Sequence, residues 1–272
     1  MKKTFALLSA LLSLLIILSA CGKDEEKTKA LSTEKLLVGV TGGPHEQVME
    51  KVKEIAAKDG LEIELKVFND YNTPNTALND GDLDLSSYQT KQFLDAQKAD
   101  KGYKISEVFK TLTFPMGIYS SSVKSIDDIK KGDKIAVPND PSNEYRALKL
   151  FEAAGLITLK EGTGEKATKK DIDENKLNLE ILELDSAQLP SQLGEVAAAA
   201  INTNFAMGAG LTLKDDSIFH EEEKNNPYTN YVVARDANKN DEAVEKLKKY
   251  YQNDEVKQFI EETFSGSVVP SW

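Results

Sequence analysis

Ala136-Val137-Pro138-Asn139-Asp140-Pro141-Ser142-Asn143-Glu144-Tyr145-Arg146 reads as a strand that hands over to a helix within a few residues. Lys134–Val137 is a buried-strand run, and Pro138 stops it. Asp140 is a natural side-chain cap, and Pro141 stands at the first helical position, where its missing N–H costs nothing. The helix is expected over Ser142–Ala154. The free amides and positive pole at its start suit a carboxylate. Arg146, about one and a half turns in, is close enough to offer a bidentate fork to the same anion. The same spacing also fits a surface Arg on an ordinary capped helix, and spacing does not choose between them.

The alternation continues on both sides. Upstream, Leu36–Val40 is a strand followed by the Gly42-Gly43-Pro44 turn. Glu46–Lys58 then places Val48, Met49, Val52, Ile55 and Ala56 on one helical face. Strands are expected at Leu61–Phe68, Leu83–Leu85 and Ile105–Phe114, with a helix at Lys91–Ala99. Downstream, Leu179–Leu184, Val196–Ile201 and Tyr231–Ala234 read as strands, and Asp241–Tyr251 and Asp254–Phe264 as helices. Gly162–Lys170 reads as an exposed loop. Strands alternating with helices indicate an α/β protein with largely parallel sheets. Composition does not choose between one doubly wound sheet and two lobes.

The chain has 272 residues, a net charge of −11 and a pI near 4.9, which argues against nucleic acid as the main partner. One cysteine excludes a disulfide framework and a Cys-based zinc site, and the two histidines, His45 and His220, lie far apart. No metal or other cofactor is expected. The sequence carries no nucleophile elbow, P-loop, dinucleotide fingerprint or zinc-protease helix motif. His45-Glu46 reads as the start of a helix, with Glu46 favoured by the helix dipole. Binding is therefore expected in place of catalysis. An envelope hydrolase and a surface adhesion or signalling protein are the alternatives.

Lys2 and Lys3 precede Phe5–Ala20, an uncharged run shorter than the roughly 20 residues of a spanning helix. It ends in Leu18-Ser19-Ala20-Cys21, which resembles a bacterial lipobox. That resemblance implies removal of residues 1–20, lipidation of Cys21 and residence at the extracytoplasmic face of the cell membrane. Residues 21–33, polar and charged, are expected to form a flexible tether.

Phe68, Tyr71, Tyr88, Phe93 and Phe114 gather at strand ends. Core packing is the default for most of them, but Tyr71 lies in a loop just after a strand, where binding groups are common. Asn also recurs after strands, in Ile201-Asn202-Thr203-Asn204 and Pro227-Tyr228-Thr229-Asn230. Its amide both donates and accepts, which suits an ammonium and a carboxylate together.

Phe68-Asn69-Asp70-Tyr71, Ala77–Asp84, Ala136–Asn143, Gln188-Leu189-Pro190, Ala200–Thr203, Pro227–Asn230 and the closing Trp272 resemble, in order, the NlpA/MetQ family. These are methionine-binding lipoproteins of ABC importers. The resemblance implies a type II periplasmic-binding-protein fold, with a ligand cleft between two lobes. The first lobe would comprise residues 34–120 and 229–272, the second 121–228, with crossings near Ile118–Ser122 and Asn225–Tyr231. It implies that Arg146 meets the ligand carboxylate and that Asn202 and Asn230 meet its backbone. Tyr71, Tyr88 and Phe114 would surround its side chain, and Thr90 and Asn143 complete the expected site. The partners implied are an amino acid, L-methionine foremost, and the permease and ATPase of an ABC transporter, met by a monomer.

Many relatives read Phe-Gln-His where this chain has Tyr88-Gln89-Thr90, and the Thr111–Pro115 segment also differs. Both departures fall on the side-chain pocket, so an α-amino acid or a small peptide, such as a methionine-containing dipeptide, is better supported than methionine itself. Arg146→Ala is expected to weaken binding and leave the fold intact.

Overall fold

The computed structural model describes residues 29–272; the leader and Cys21 lie outside the described residues. In the first half of the chain, β1 (Lys35–Thr41), α1 (Pro44–Ala57), β2 (Glu62–Phe68), α2 (Thr73–Asp80), β3 (Leu85–Thr90), α3 (Lys91–Lys101) and β4 (Ile105–Thr113) follow one another. The chain then continues through β5 (Gly117–Tyr119), β6 (Lys134–Pro138), α4 (Pro141–Ala153), β7 (Thr158–Leu159), β8 (Ile172–Glu174), β9 (Glu180–Leu184) and β10 (Ala198–Ile201). After α5 (Thr203–Gly208), α6 (Leu213–Asp216) and β11 (Ser217–His220), it returns as β12 (Thr229–Arg235), α7 (Glu242–Tyr251), α8 (Asp254–Phe264) and β13 (Val269–Pro270).

Two large sheets result, ordered β13-β4-β12-β3-β1-β2 and β11-β5-β10-β6-β9. Each has its own hydrophobic cores, so the molecule has two lobes. The sheets are mixed, not largely parallel. β1 runs parallel to β2 and β3, and β6 parallel to β9 and β10, but β12 is antiparallel to β3 and β4. In the second sheet β5 is antiparallel to β10 and β11. The antiparallel members sit beside the two crossings, where the chain reverses from one lobe to the other.

The first crossing is Phe114–Met116, earlier than the expected Ile118–Ser122, because Ile118 and Tyr119 already pair with β10. Residues 117–120 therefore go with the second sheet and not with the first lobe. The second crossing, Glu221–Tyr228, ends before Tyr231 because β12 begins at Thr229. The strand expected at Leu83–Leu85 instead runs over Leu85–Thr90. Ser86, Ser87 and Gln89 look too polar for an interior strand, yet all three are buried. Gln89 and Asn75 exchange side-chain amide hydrogen bonds of 2.8 and 2.6 Å, which satisfies both.

Local chemistry explains the two helices that matter most for the site. Gly43 takes φ +88°, a region that favours glycine, and lets the chain turn from β1 into α1 with Pro44 at its first position. Val48, Met49, Val52 and Ala56 face the core. On α4 the Asp140 carboxylate accepts from the Asn143 N–H at 3.0 Å, as its spacing predicts. The buried side of α4 carries Ala147, Leu148, Leu150 and Phe151, and also Asn143 and Arg146.

Residues 31–33, expected to belong to a flexible tether, are packed instead. Leu31 is buried, its N–H donates to Asp241 Oδ2 at 2.8 Å, and Lys246 Nζ donates to the Thr33 carbonyl at 2.8 Å. Residues 31–33 are thus docked on the first lobe. The expected loop at Gly162–Lys170 is largely exposed, though Ala167 is buried. No helix among the described residues is long and apolar enough to cross a membrane.

Candidate functional site

Between the lobes lies a cavity lined by residues of both, a setting common for small-molecule sites. All eight residues expected at a ligand site line it. Tyr71, Tyr88, Thr90 and Asn230 come from the first lobe, Asn143, Arg146 and Asn202 from the second, and Phe114 from the first crossing. Strand ends explain the convergence. The β3–β12 register sets Thr90 opposite Asn230, while Asn202 follows β10 and Arg146 lies on the helix after β6.

The aromatic side is a connected wall. The Tyr71 ring lies 6.0 Å from Tyr88 and 5.8 Å from Phe93 in its own lobe, and 4.7 Å from Phe205 of the other. Tyr88 OH donates to the Tyr71 carbonyl at 3.1 Å, and Tyr71 OH donates to Asn204 Oδ1 at 2.5 Å.

The polar side is oriented in steps. Asn143 Nδ2 donates to both Asp140 oxygens at 3.1 and 2.9 Å, and Asn143 Oδ1 accepts from Asn202 Nδ2 at 2.8 Å. Asn143 is therefore committed at both ends and acts by aiming Asn202. Three buried atoms of cavity-lining residues, Asn202 Oδ1, Asn204 Nδ2 and His45 Nδ1, have no partner among the described residues. A buried polar atom left this way costs about 1–3 kcal/mol, so a ligand that pairs with it gains that stabilisation.

Arg146 differs from expectation. Its fork does not face the cavity unengaged, because Nε and Nη2 donate to Glu221 at 2.8 and 2.7 Å, and Nη2 also donates to the Phe114 carbonyl at 2.6 Å. Its guanidinium carbon lies 4.0 Å from the centre of the Tyr228 ring. Nη1 alone has no acceptor among the described residues. Burial pulls the Glu221 pKa upward. The Arg146 charge and hydrogen bonds, with those from Met116 N–H and Asn226, outweigh it and hold the carboxyl below its ordinary value. Thr90 is also more committed than a free pocket hydroxyl, since it caps α3 by accepting from Phe93 N–H at 3.2 Å.

His45, Gln89, Phe93, Thr203 and Asn204 also line the cavity and were not singled out as ligand contacts. His45 follows the turn after β1, a strand-end position like that of Tyr71, and this was its available signal. It packs against Phe114 at 4.5 Å, and burial lowers its pKa to about 3, so the ring is neutral near pH 7. The Thr203 hydroxyl donates to the Pro115 carbonyl and ties α5 to the first crossing. Among the described residues no three His, Cys, Asp or Glu side chains are grouped to hold a metal ion.

Next to Asn143 on α4, Glu144 is buried and accepts from Lys169 N–H at 2.8 Å. Burial first, and then neighbouring Glu183, raise its pKa from 4.5 to about 7. The folded state therefore holds this proton more tightly than the unfolded chain, and its contribution to stability falls as pH rises from about 4.5 to about 7. Glu144→Gln, which keeps an acceptor for Lys169, should melt higher than the parent at pH 8 and close to it at pH 4.5. Equal melting temperatures at pH 8 would show that Glu144 ionises there without cost.

Known proteins share the sequence pattern and the fold. The family model for the NlpA lipoprotein matches residues 36–272. A protein of Vibrio cholerae named probable D-methionine-binding lipoprotein MetQ is 46% identical over 258 residues, 94% of each chain. The crystal structure of the methionine-binding protein MetQ superposes with a TM-score of 0.86 at 43% identity, covering 89% of this chain and 99% of that one. A nutrient-binding protein from Burkholderia cenocepacia bound to methionine gives a TM-score of 0.85 at 46% identity, covering 87% and 100%.

Proposed function

The chain belongs to the NlpA lipoprotein family, and on that premise we propose that it captures methionine, or a close relative such as a methionine-containing dipeptide, for an ABC importer. The periplasmic-binding-protein fold supplies the mechanism. Ligand enters between the lobes, touches both, and stabilises their closure about the two crossings. The observation that carries the reading is an interlobe cavity joining an aromatic wall to one guanidinium and unpartnered amide groups of both polarities.

In this reading the ligand carboxylate meets Arg146 Nη1 and Asn204 Nδ2, and the ammonium meets Asn202 Oδ1 and Asn230. Tyr71, Tyr88, Phe93 and Phe114 surround the thioether chain, where sulfur gains from aromatic contacts. Binding and delivery, not catalysis, is the role, and the protein acts as a monomer against the transporter's permease and ATPase. Native mass spectrometry of gently purified protein, followed by calorimetry with both enantiomers of methionine, tests the ligand class. An empty cavity with no heat from methionine or its dipeptides would refute it.

Thr90 bears on the finer choice of ligand. Thr90→His adds a bulky donor to the side-chain end of the cavity and loses the α3 cap, at a cost of about 0.5–2 kcal/mol in stability. The wild type should rank methionine and its dipeptides more evenly than Thr90→His does. Identical rankings, with methionine tightest in both, would remove Thr90 as a selectivity residue.

Cys21 carries the lipid in this reading and holds the protein at the extracytoplasmic face of the cell membrane. Cys21→Ser should leave the protein in the aqueous phase of a detergent partition. A mutant that still follows the membrane fraction would overturn the anchor.

A further inference from the structure

We propose that Glu221 is a resident counter-ion that sets the charge class of the ligand, so that the cavity takes a zwitterion and turns away a plain carboxylate anion. The inference rests on the reading of the cavity as a methionine-type site and adds to it a residue outside the lining. Among the residues lining the cavity, Arg146 is the one formal cation, since His45 is neutral and the others are amides, hydroxyls and aromatic rings. Glu221 binds that cation through both carboxylate oxygens at 2.8 and 2.7 Å, with side-chain exposures of only 4% for Arg146 and 13% for Glu221.

Glu221 is held in place from three sides. Its Oε2 also accepts from Met116 N–H of the first crossing at 2.9 Å and from Asn226 Nδ2 of the second at 2.8 Å. Its own N–H donates to the Met116 carbonyl at 3.0 Å. Asp140, whose pKa is raised by burial, stands behind Asn143 and accepts from its amide. The guanidinium is thus neutralised before any ligand arrives. A ligand carrying only a carboxylate adds a net negative charge next to the already neutralised Arg146–Glu221 pair in a medium that screens poorly. A zwitterion adds none.

The experiment is calorimetric titration of methionine, methioninamide and the desamino acid 4-(methylthio)butanoate into wild type, Glu221→Gln and Glu221→Asp. The wild type should bind methionine best, methioninamide next and the desamino acid least. Glu221→Gln should narrow the ratio between methionine and the desamino acid by about tenfold or more, because Arg146 then serves the anion alone. Glu221→Asp, which keeps the charge, should hold that ratio near the wild-type value even if all affinities fall.

A wild type that binds the desamino acid more tightly than methioninamide would overturn the role of Glu221, and that test needs no folded variant. An unchanged ratio in Glu221→Gln, or equal relaxation in Glu221→Asp, would do the same. Absence of methionine binding by the wild type would overturn the ligand reading, and this inference with it.

Discussion

Arg146→Ala should cost the protein stability as well as ligand. Removing the guanidinium leaves Glu221 buried with its charge uncompensated, and breaking a buried pair from one side costs about 3–5 kcal/mol. For a chain of this size that lowers the melting temperature by roughly 6–20 °C. The expected binding defect is therefore joined by a cost in stability. Loss of a charge-assisted contact to the ligand adds about 1.5–3 kcal/mol, or roughly ten- to a hundredfold and more in affinity. The double variant Arg146→Met/Glu221→Gln separates the two effects. Gln can still accept from Met116 N–H, no orphaned charge remains, and most of the melting temperature should return while affinity does not. A single variant that melts with the wild type would show that the pair contributes nothing to stability.

The Arg146–Glu221 pair marks where the sequence stops being informative. Arg146 was visible because a capped helix after a strand has a recognisable grammar of Pro138, Asp140 and Pro141. Glu221 was not. It lies in Glu221-Glu222-Glu223-Lys224, a run that reads as solvated surface, and only the meeting of the two crossings distinguishes it from its neighbours. The long apolar elements were legible from period alone, β1, α1, α7 and α8 among them. The strand Leu85–Thr90 was misplaced because its polar residues are satisfied by partners distant in sequence, such as Asn75 for Gln89. β5 and β11 are three and four residues long, too short for any period to show. Their absence from the reading is what moved the first crossing to the wrong residues. The cavity lining was better recovered than the strand boundaries. The resemblance supplied its residues one by one, whereas the neutral His45 and the interlobe partner Asn204 had only their strand-end positions to recommend them.

Tyr71→Ala should have the largest effect on ligand retention of any change confined to the first lobe. The ring touches Phe205 across the cleft as well as Tyr88 and Phe93 on its own side, and its hydroxyl donates to Asn204 of the second lobe. The Phe205 and Asn204 contacts require the lobes to be closed, so their loss acts on the closed state more than on the open one. Truncating a fully buried aromatic side chain costs about 3–5 kcal/mol, an upper bound for the half-buried Tyr71. If even half of that belongs to closure, affinity falls roughly tenfold, and if most of it does, a hundredfold or more. The change should be seen in faster release, because association is set by encounter with the open cleft. Tyr71→Phe keeps the ring and gives up one hydrogen bond worth about 0.5–1.5 kcal/mol, so its affinity should fall only about two- to tenfold. Stopped-flow release rates for the two variants therefore divide the latch between ring and hydroxyl. Equal release from Tyr71→Ala and Tyr71→Phe would assign it to the Asn204 bond alone, and wild-type release from both would show that closure does not depend on this residue.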